Sequence, residues 1–267
     1  MSTWQVWSAG LGTVSVMMLV VWAISVARKD ASIVDRVWGM AFVVAAWTYA
    51  AAAGTWGPRT WLILALVTIW GVRLSVYITA RNWGDDEDQR YRAMREKRPN
   101  TFALSSLWRI FLLQGALAWV ISLPLLAAAA YDQPGDLVWL DLLAVAAWTV
   151  GFVFEAGGDW QLSRFLNDPA NRGKVMDRGL WRYTRHPNYF GDTVVWWSFF
   201  LVALPTGAWW TAVGPLLMSV LIVKVSGVAL TDRNMSGGSS REGYDEYVAR
   251  TNQFFPGPPK SRDEIDV

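Results

Sequence analysis

Unbroken apolar runs constrain this chain more than any other feature. Stretches of about 20 residues recur along it, long enough at about 1.5 Å per residue to cross a hydrocarbon core of about 30 Å. They fall at residues 4–26, 34–53, 60–80, 107–130, 137–157, 189–204 and 209–230. The pattern predicts an all-α polytopic membrane protein with seven transmembrane helices. The sixth run is short and stops at Pro205, so Pro205-Thr206-Gly207 is expected to turn a hairpin into the seventh. Trp and Tyr gather at the run ends (Trp4, Trp7, Trp56, Trp61, Tyr131, Trp139, Trp209, Trp210), where an amphipathic ring suits the headgroup layer. The first run has no basic residue before it, is too long for a signal peptide, and leads into Arg28-Lys29-Asp30 without a cleavage site. It is expected to remain as a span.

Charge gives the orientation. Of 24 Lys and Arg residues, 21 fall in the first, third and fifth connections, the tail, and the mouth of the fourth run at Arg109. Arg59 stands alone on the opposite side, while Arg73 and Lys224 lie within runs. Positive residues stay inside, so the N-terminus is expected outside and the C-terminus in the cytoplasm. The basic clusters suit anionic membrane lipids, and nothing in their arrangement points to nucleic acid. The absence of Cys removes disulfides and thiolate chemistry, and a single His removes any His-cluster metal site. A single membrane-embedded domain over residues 1–267 is expected. It comprises variable N-terminal spans (1–150), a C-terminal ligand-binding part (151–260) and a tail that frays over 257–267, with a helical stretch at 86–96 in the third connection.

Ionisable groups beside the runs are costly in hydrocarbon unless paired or wetted, and they gather at the cytoplasmic ends. Asp35 opens the second run, Glu155 and Asp159 close the fifth on one helix face, and Asp192 begins the sixth. The fifth connection is read as a loop starting at Asp159. It packs six cations beside the membrane, two tight-turn glycines, and several aromatic and amide side chains. Arg presents a fork matched to phosphate oxygens and Lys a point charge, so Arg164, Arg172 and Lys174 are chosen on physical grounds as a phosphate clamp. Pro187-Asn188 sets the start of the sixth helix, whose first amides favour an anion. An adenine nucleotide fits this set; a phospholipid headgroup remains an alternative.

The run Gly179-Leu180-Trp181-Arg182-Tyr183-Thr184-Arg185-His186-Pro187-Asn188-Tyr189-Phe190-Gly191-Asp192 resembles the C-terminal signature of the steroid 5-alpha-reductase superfamily and its bacterial membrane relatives. Gly243-Tyr244-Asp245-Glu246-Tyr247 through Thr251, followed by Phe255-Pro256, is similar to that family's tail. The resemblance covers the chain from about Phe154. It implies NADPH held in a cytoplasm-facing cavity, with hydride delivered to an activated carbon–carbon double bond of a lipid-like substrate (steroid, sterol, isoprenoid or fatty-acyl). It places Glu155 and Asp159 near the nicotinamide, with Arg182, Tyr183, Asn188, Tyr189 and Asp192 along the cofactor. Arg185 and the lone His186 are added as cofactor contacts. Asp35 and Tyr91 are the nearest candidates by type for the catalytic carboxyl and phenol of the N-terminal half, beside Glu155. The chain departs from the steroid reductases at Ser236-Gly237-Gly238-Ser239-Ser240, read here as a flexible bend. A bacterial plasma membrane location, with the site facing the cytoplasm, follows from the resemblance and the charge pattern together.

Arg185-His186-Pro187 with Tyr189 and Gly191 also resembles the isoprenylcysteine methyltransferases, which implies S-adenosylmethionine instead. A third reading is a non-enzymatic lipid-binding protein. Polar groups at one face only, rather than along a path through both leaflets, count against it.

Overall fold

Ser2 starts the first helix with reciprocal bonds: its hydroxyl accepts the Gln5 N–H, and the Gln5 side chain accepts the Ser2 N–H. From that capping box α1 runs Thr3–Arg28, ending where Lys29 takes a left-handed conformation (φ 54°). The structure, a computed structural model, describes residues 1–131, 134–228 and 241–260. The expected end of the seventh run at Leu230, the bend within 236–240 and residues 261–267 lie outside the described residues.

Short α2 (Ile33–Arg36) precedes α3 (Trp38–Ala53) and α4 (Pro58–Arg81), which begins with proline at its first turn. The third connection carries α5 (Gln89–Glu96), then come α6 (Phe102–Ile121), α7 (Leu123–Ala130), α8 (Trp139–Leu166) and α9 (Pro187–Ala203). A short 3-10 turn, Trp209–Ala212, leads into α10 (Val213–Val220), and α11 (Tyr244–Arg250) closes the described helices. Among the described residues no named strand occurs; β pairing is limited to an isolated bridge between Lys174 and Glu242. The fold class is therefore all-helical. Four helices, α1, α4, α6 and α8, are long and apolar enough to cross a membrane, and α3 is a shorter apolar helix. Large apolar side chains such as Val16, Leu19, Val20 and Ile24 stand exposed along α1, as a lipid-facing helix requires. The chain is thus a helical membrane protein.

Several helix boundaries differ from the sequence expectation: the second run, for one, divides at Val37 into α2 and α3. The fourth run breaks at Ser122, because Pro124 lacks an N–H to continue α6 and instead fits the first turn of α7. α6 also contains a π turn at Leu107–Leu112. The loop expected from Asp159 is a correction: α8 continues to Leu166. Gly157-Gly158 does not end the helix, since Gln161, Leu162, Arg164 and Leu166 favour helix and no breaker intervenes before Pro169.

The chain divides into two compact units, Met1–Asp141 with Phe200–Gly214, and Leu142–Phe199 with the described residues from Pro215 on. In the first, α3 packs on α1, α4 and α7. α3 and α4 touch backbone to backbone: a Cβ on Gly71 would lie 2.6 Å from the Gly39 carbonyl oxygen. Such small-residue crossings maximise van der Waals contact where lipid supplies no hydrophobic drive. The buried Tyr49 hydroxyl bonds Ser122 Oγ, at the α6–α7 break, at 2.7 Å. Trp7 and Trp119 stack at 3.8 Å, and each indole N–H donates to the other's carbonyl. In the second unit the α8–α9 crossing uses the same device. A Cβ on Gly151 would sit 2.8 Å from the Gly191 carbonyl oxygen and the Val195 nitrogen.

Candidate functional site

In the first unit the site is built from the third connection. Asp88 caps α5 by accepting the Arg90 N–H at 2.8 Å, and its own N–H donates to Ser32 Oγ at 2.7 Å. Glu87 accepts the Ala31 N–H at 2.8 Å and two Arg95 bonds at 2.9 and 2.7 Å. Burial raises the Glu87 pKa, but the Arg95 guanidinium and the Ala31 N–H outweigh it and hold the carboxyl below its ordinary range. These ties fix α5 over α2 and present Tyr91 inward, 6% exposed.

Tyr91 then meets Asp35. Its hydroxyl donates to Asp35 Oδ1 at 2.8 Å, while Arg90 donates to Asp35 Oδ2 at 3.0 Å. The Gln114 amide, on α6 just past the π turn, donates to Tyr91 Oη at 3.4 Å and Asp35 Oδ1 at 3.5 Å. π turns recur at functional sites because the extra residue re-aims the side chains that follow. Burial, then the charge of Asp35, pushes the Tyr91 phenol well above its ordinary value, so it stays protonated through neutral pH. A buried, oriented phenol of that kind has the chemistry to donate a hydrogen bond. Asp35 and Tyr91 were chosen by type and by side of the membrane, and the structure brings them together. Arg90 and Gln114 were missed. Gln114 carried a readable signal, being the lone amide side chain in the run 107–130.

In the second unit Glu155 (3% exposed) and Asp159 (4% exposed) are buried one turn apart on α8. Asp159 Oδ1 accepts the Asn188 amide at 3.0 Å, and Asn188 Oδ1 accepts the Tyr189 N–H at 3.0 Å. Gly158 permits this approach, since a Cβ there would lie 3.2 Å from the Asn188 nitrogen and from Pro187. His186, 3% exposed, stacks on Tyr189 at 5.6 Å, and Asp192 lies half-buried one turn beyond Asn188. Two side chains pin the turn before α9: the Trp181 indole donates to Gly158 O at 3.0 Å, and Gln161 Oε1 accepts the Leu180 N–H at 2.9 Å.

The expected cations spread over the surface of this unit. Arg172 and Lys174 line one groove of about 460 Å³ together with Arg241. Arg164 instead lies over the Trp160 ring at 5.6 Å, at the end of α8 rather than in that groove. Arg182 and Tyr183 are exposed and Arg185 is half-buried. Residues 257–260, expected to fray, hold backbone bonds from the Gly257 N–H to Tyr183 O and from the Lys260 N–H to Arg250 O. Thr184 and Tyr247, not singled out from sequence, join the motif to the tail; the Thr184 hydroxyl donates to Phe254 O at 2.9 Å and the Tyr247 hydroxyl to Trp181 O at 2.7 Å.

No solved structure matches this chain. An uncharacterized protein of Schizosaccharomyces pombe, C594.04c, is 27% identical over 208 residues, which is 68% of this chain and 60% of the relative. The match therefore spans less than two thirds of that relative's length. Residues 21–251 match DUF1295, a family described as a protein of unknown function, and this stretch takes in both clusters just described; the chain belongs to the DUF1295 family.

Proposed function

We propose that this protein is a membrane-embedded, NADPH-dependent reductase of an activated carbon–carbon double bond in a lipid-like substrate. The observation that carries this reading is the buried Tyr91 phenol, oriented by Asp35 and Gln114 and kept protonated. Reduction of a conjugated double bond places negative charge on a carbonyl oxygen, which a positioned hydroxyl stabilises as it develops. Methyl transfer to a thiolate or carboxylate has no use for such a donor.

The residues fit the cofactor. The Asp159–Asn188 pair, its carboxylate buried and its amide half-buried, offers an acceptor and a donor at one place, as ribose hydroxyls or a carboxamide require. Arg172, Lys174 and Arg241 gather cations along one groove, as phosphates require. When bound, NADPH supplies the hydride. Tyr91 donates its hydrogen bond to the substrate carbonyl, turning from Asp35 about its C–O bond. Gln114 meanwhile keeps hold of the phenolic oxygen, and Arg90 holds Asp35. The substrate enters from lipid, and the site faces the cytoplasm of a bacterial plasma membrane. The chain crosses that membrane seven times with its N-terminus outside, which the 21 basic residues on one side support. A reporter active only outside the cytoplasm is expected to work when fused after Tyr131 or Pro205 and to stay silent after Arg98 or Arg178. Activity after Arg178 would reverse the orientation.

Ligand binding separates the readings. Detergent-purified protein is expected to bind NADPH in preference to NADH and S-adenosylmethionine. Asn188→Ala and Asp192→Ala are each expected to weaken NADPH binding about five- to a hundred-fold, the range for losing one buried hydrogen bond. Titration calorimetry on folded variants measures this. Saturable S-adenosylmethionine binding without an NADPH response sinks the reductase reading in favour of a methyltransferase. Binding of neither returns the lipid-binding alternative.

A further inference from the structure

The stretch from Tyr183 to His186 is irregular: it lies between the 3-10 turn Gly179–Arg182 and the start of α9 at Pro187. Its backbone cannot be satisfied within a helix, and buried peptide groups need partners. The C-terminal segment supplies them. The Arg185 N–H donates to Asn252 O at 2.9 Å and the Gly257 N–H to Tyr183 O at 3.1 Å, so the two segments exchange bonds in both directions. Tyr247 ties Trp181 O, and Arg250 pairs with Asp177 at 2.6 Å.

Thr184 stands at the centre of this exchange and is fully buried. Its hydroxyl donates to Phe254 O at 2.9 Å and accepts the His186 N–H at 3.3 Å. One oxygen thus links the tail to the residue that precedes α9, two positions before Asn188. The Phe254 and Phe255 rings meet Phe190 edge-on at 6.0 and 6.4 Å, two residues after Asn188.

From this geometry we infer that residues 251–257 form a strap that completes the Asn188 cluster, and that Thr184 is the positioning residue that latches it. Releasing the strap removes the bonds made by Tyr183 O, the Thr184 hydroxyl and the Arg185 N–H, so Asn188 loses part of the fixed backbone that aims it at Asp159. By thermodynamic reciprocity, a ligand bound at Asn188 tightens the strap by the factor that strap closure adds to ligand affinity. The part concerning NADPH rests on the reductase reading; the latch itself does not.

Hydrogen exchange on the full-length protein in detergent tests the latch. Thr184→Val keeps the volume but loses the hydroxyl. Exchange in peptides covering 251–257 is expected to rise about five- to a hundred-fold. Thr184→Ser is expected to restore protection. Tyr247→Phe removes a second tie without changing packing, is expected to act in the same direction, and keeps the test decisive if Thr184→Val does not fold. Unchanged exchange in the folded variants overturns the latch. NADPH affinity is expected to fall about tenfold in Thr184→Val and recover in Thr184→Ser. A loosened strap with parental NADPH affinity overturns the coupling to the site. If the parent protein binds no NADPH, the reductase reading falls, while the exchange result still decides the latch.

Discussion

Arg59→Met is expected to remove about 3–5 kcal/mol of stability, as breaking a buried ion pair from one side does. Arg59 and Asp141 have side chains only 3% and 1% exposed, and they bond through both carboxylate oxygens, at 3.2 and 2.9 Å. The guanidinium also donates to the carbonyls of Pro134 at 2.6 Å and Asp136 at 3.0 Å. Asp141 Oδ2 accepts the Val138 N–H at 2.8 Å, so the pair organises the whole turn that begins α8. Removing the cation leaves a carboxylate in a dry site beside two carbonyls that have lost donors. The cost is therefore set by desolvation rather than by the pair's net attraction. That distinction makes a second measurement decisive. The double variant Arg59→Met with Asp141→Leu is expected to recover much of the loss, because no charge is then left buried. Denaturant-induced unfolding in micelles, followed by Trp fluorescence, reads both. A single variant as stable as the parent would show that water reaches the pair and that its burial is unimportant.

The same residue shows how far the sequence carries. Arg59 was legible as the sole cation on its side, yet its partner 82 positions away was not, because no periodic pattern connects them. The apolar runs were legible since burial in lipid leaves a signature about 20 residues long; the break at Ser122 was hidden inside one of them. The loop expected from Asp159 followed from where the apolar run stops; α8 continues past it as a polar helix, and within α8 the missing side chain of Gly158 lets Pro187 and Asn188 approach. Asp35 and Tyr91 were found by type and by side of the membrane. Gln114 escaped because one amide in a long apolar run does not disturb its mean hydropathy, although in hydrocarbon it still needs a partner. The strap was least legible of all. Its bonds join backbone atoms about 70 residues apart, and backbone pairing of irregular segments leaves almost no trace in side-chain identity.

On the reductase reading, Tyr91→Phe is expected to slow single-turnover reduction about a hundred-fold or more while leaving NADPH affinity within about twofold of the parent. Loss of one preorganised donor to a developing oxyanion costs about 10²–10³ in rate. The ring, its packing and the Arg90 guanidinium 5.3 Å above it all remain, so the effect reports the hydroxyl alone. Asp35→Asn is expected to reduce the rate less, because an amide still accepts a hydrogen bond but no longer carries the charge that holds Arg90. The pH profile gives an independent reading. A donor must be protonated, and an ordinary phenol is lost as pH rises through about 10. Burial and the Asp35 charge raise the Tyr91 value, so its contribution is complete below pH 10 and persists above it. The parent is therefore expected to hold its single-turnover rate up to pH 10, and Tyr91→Phe to stay uniformly slow over the same range. A fall in parental rate near pH 7 would assign the proton to a group other than Tyr91. A normal rate in Tyr91→Phe would remove only the donor assignment, and Glu155, buried on α8, is the next residue to replace.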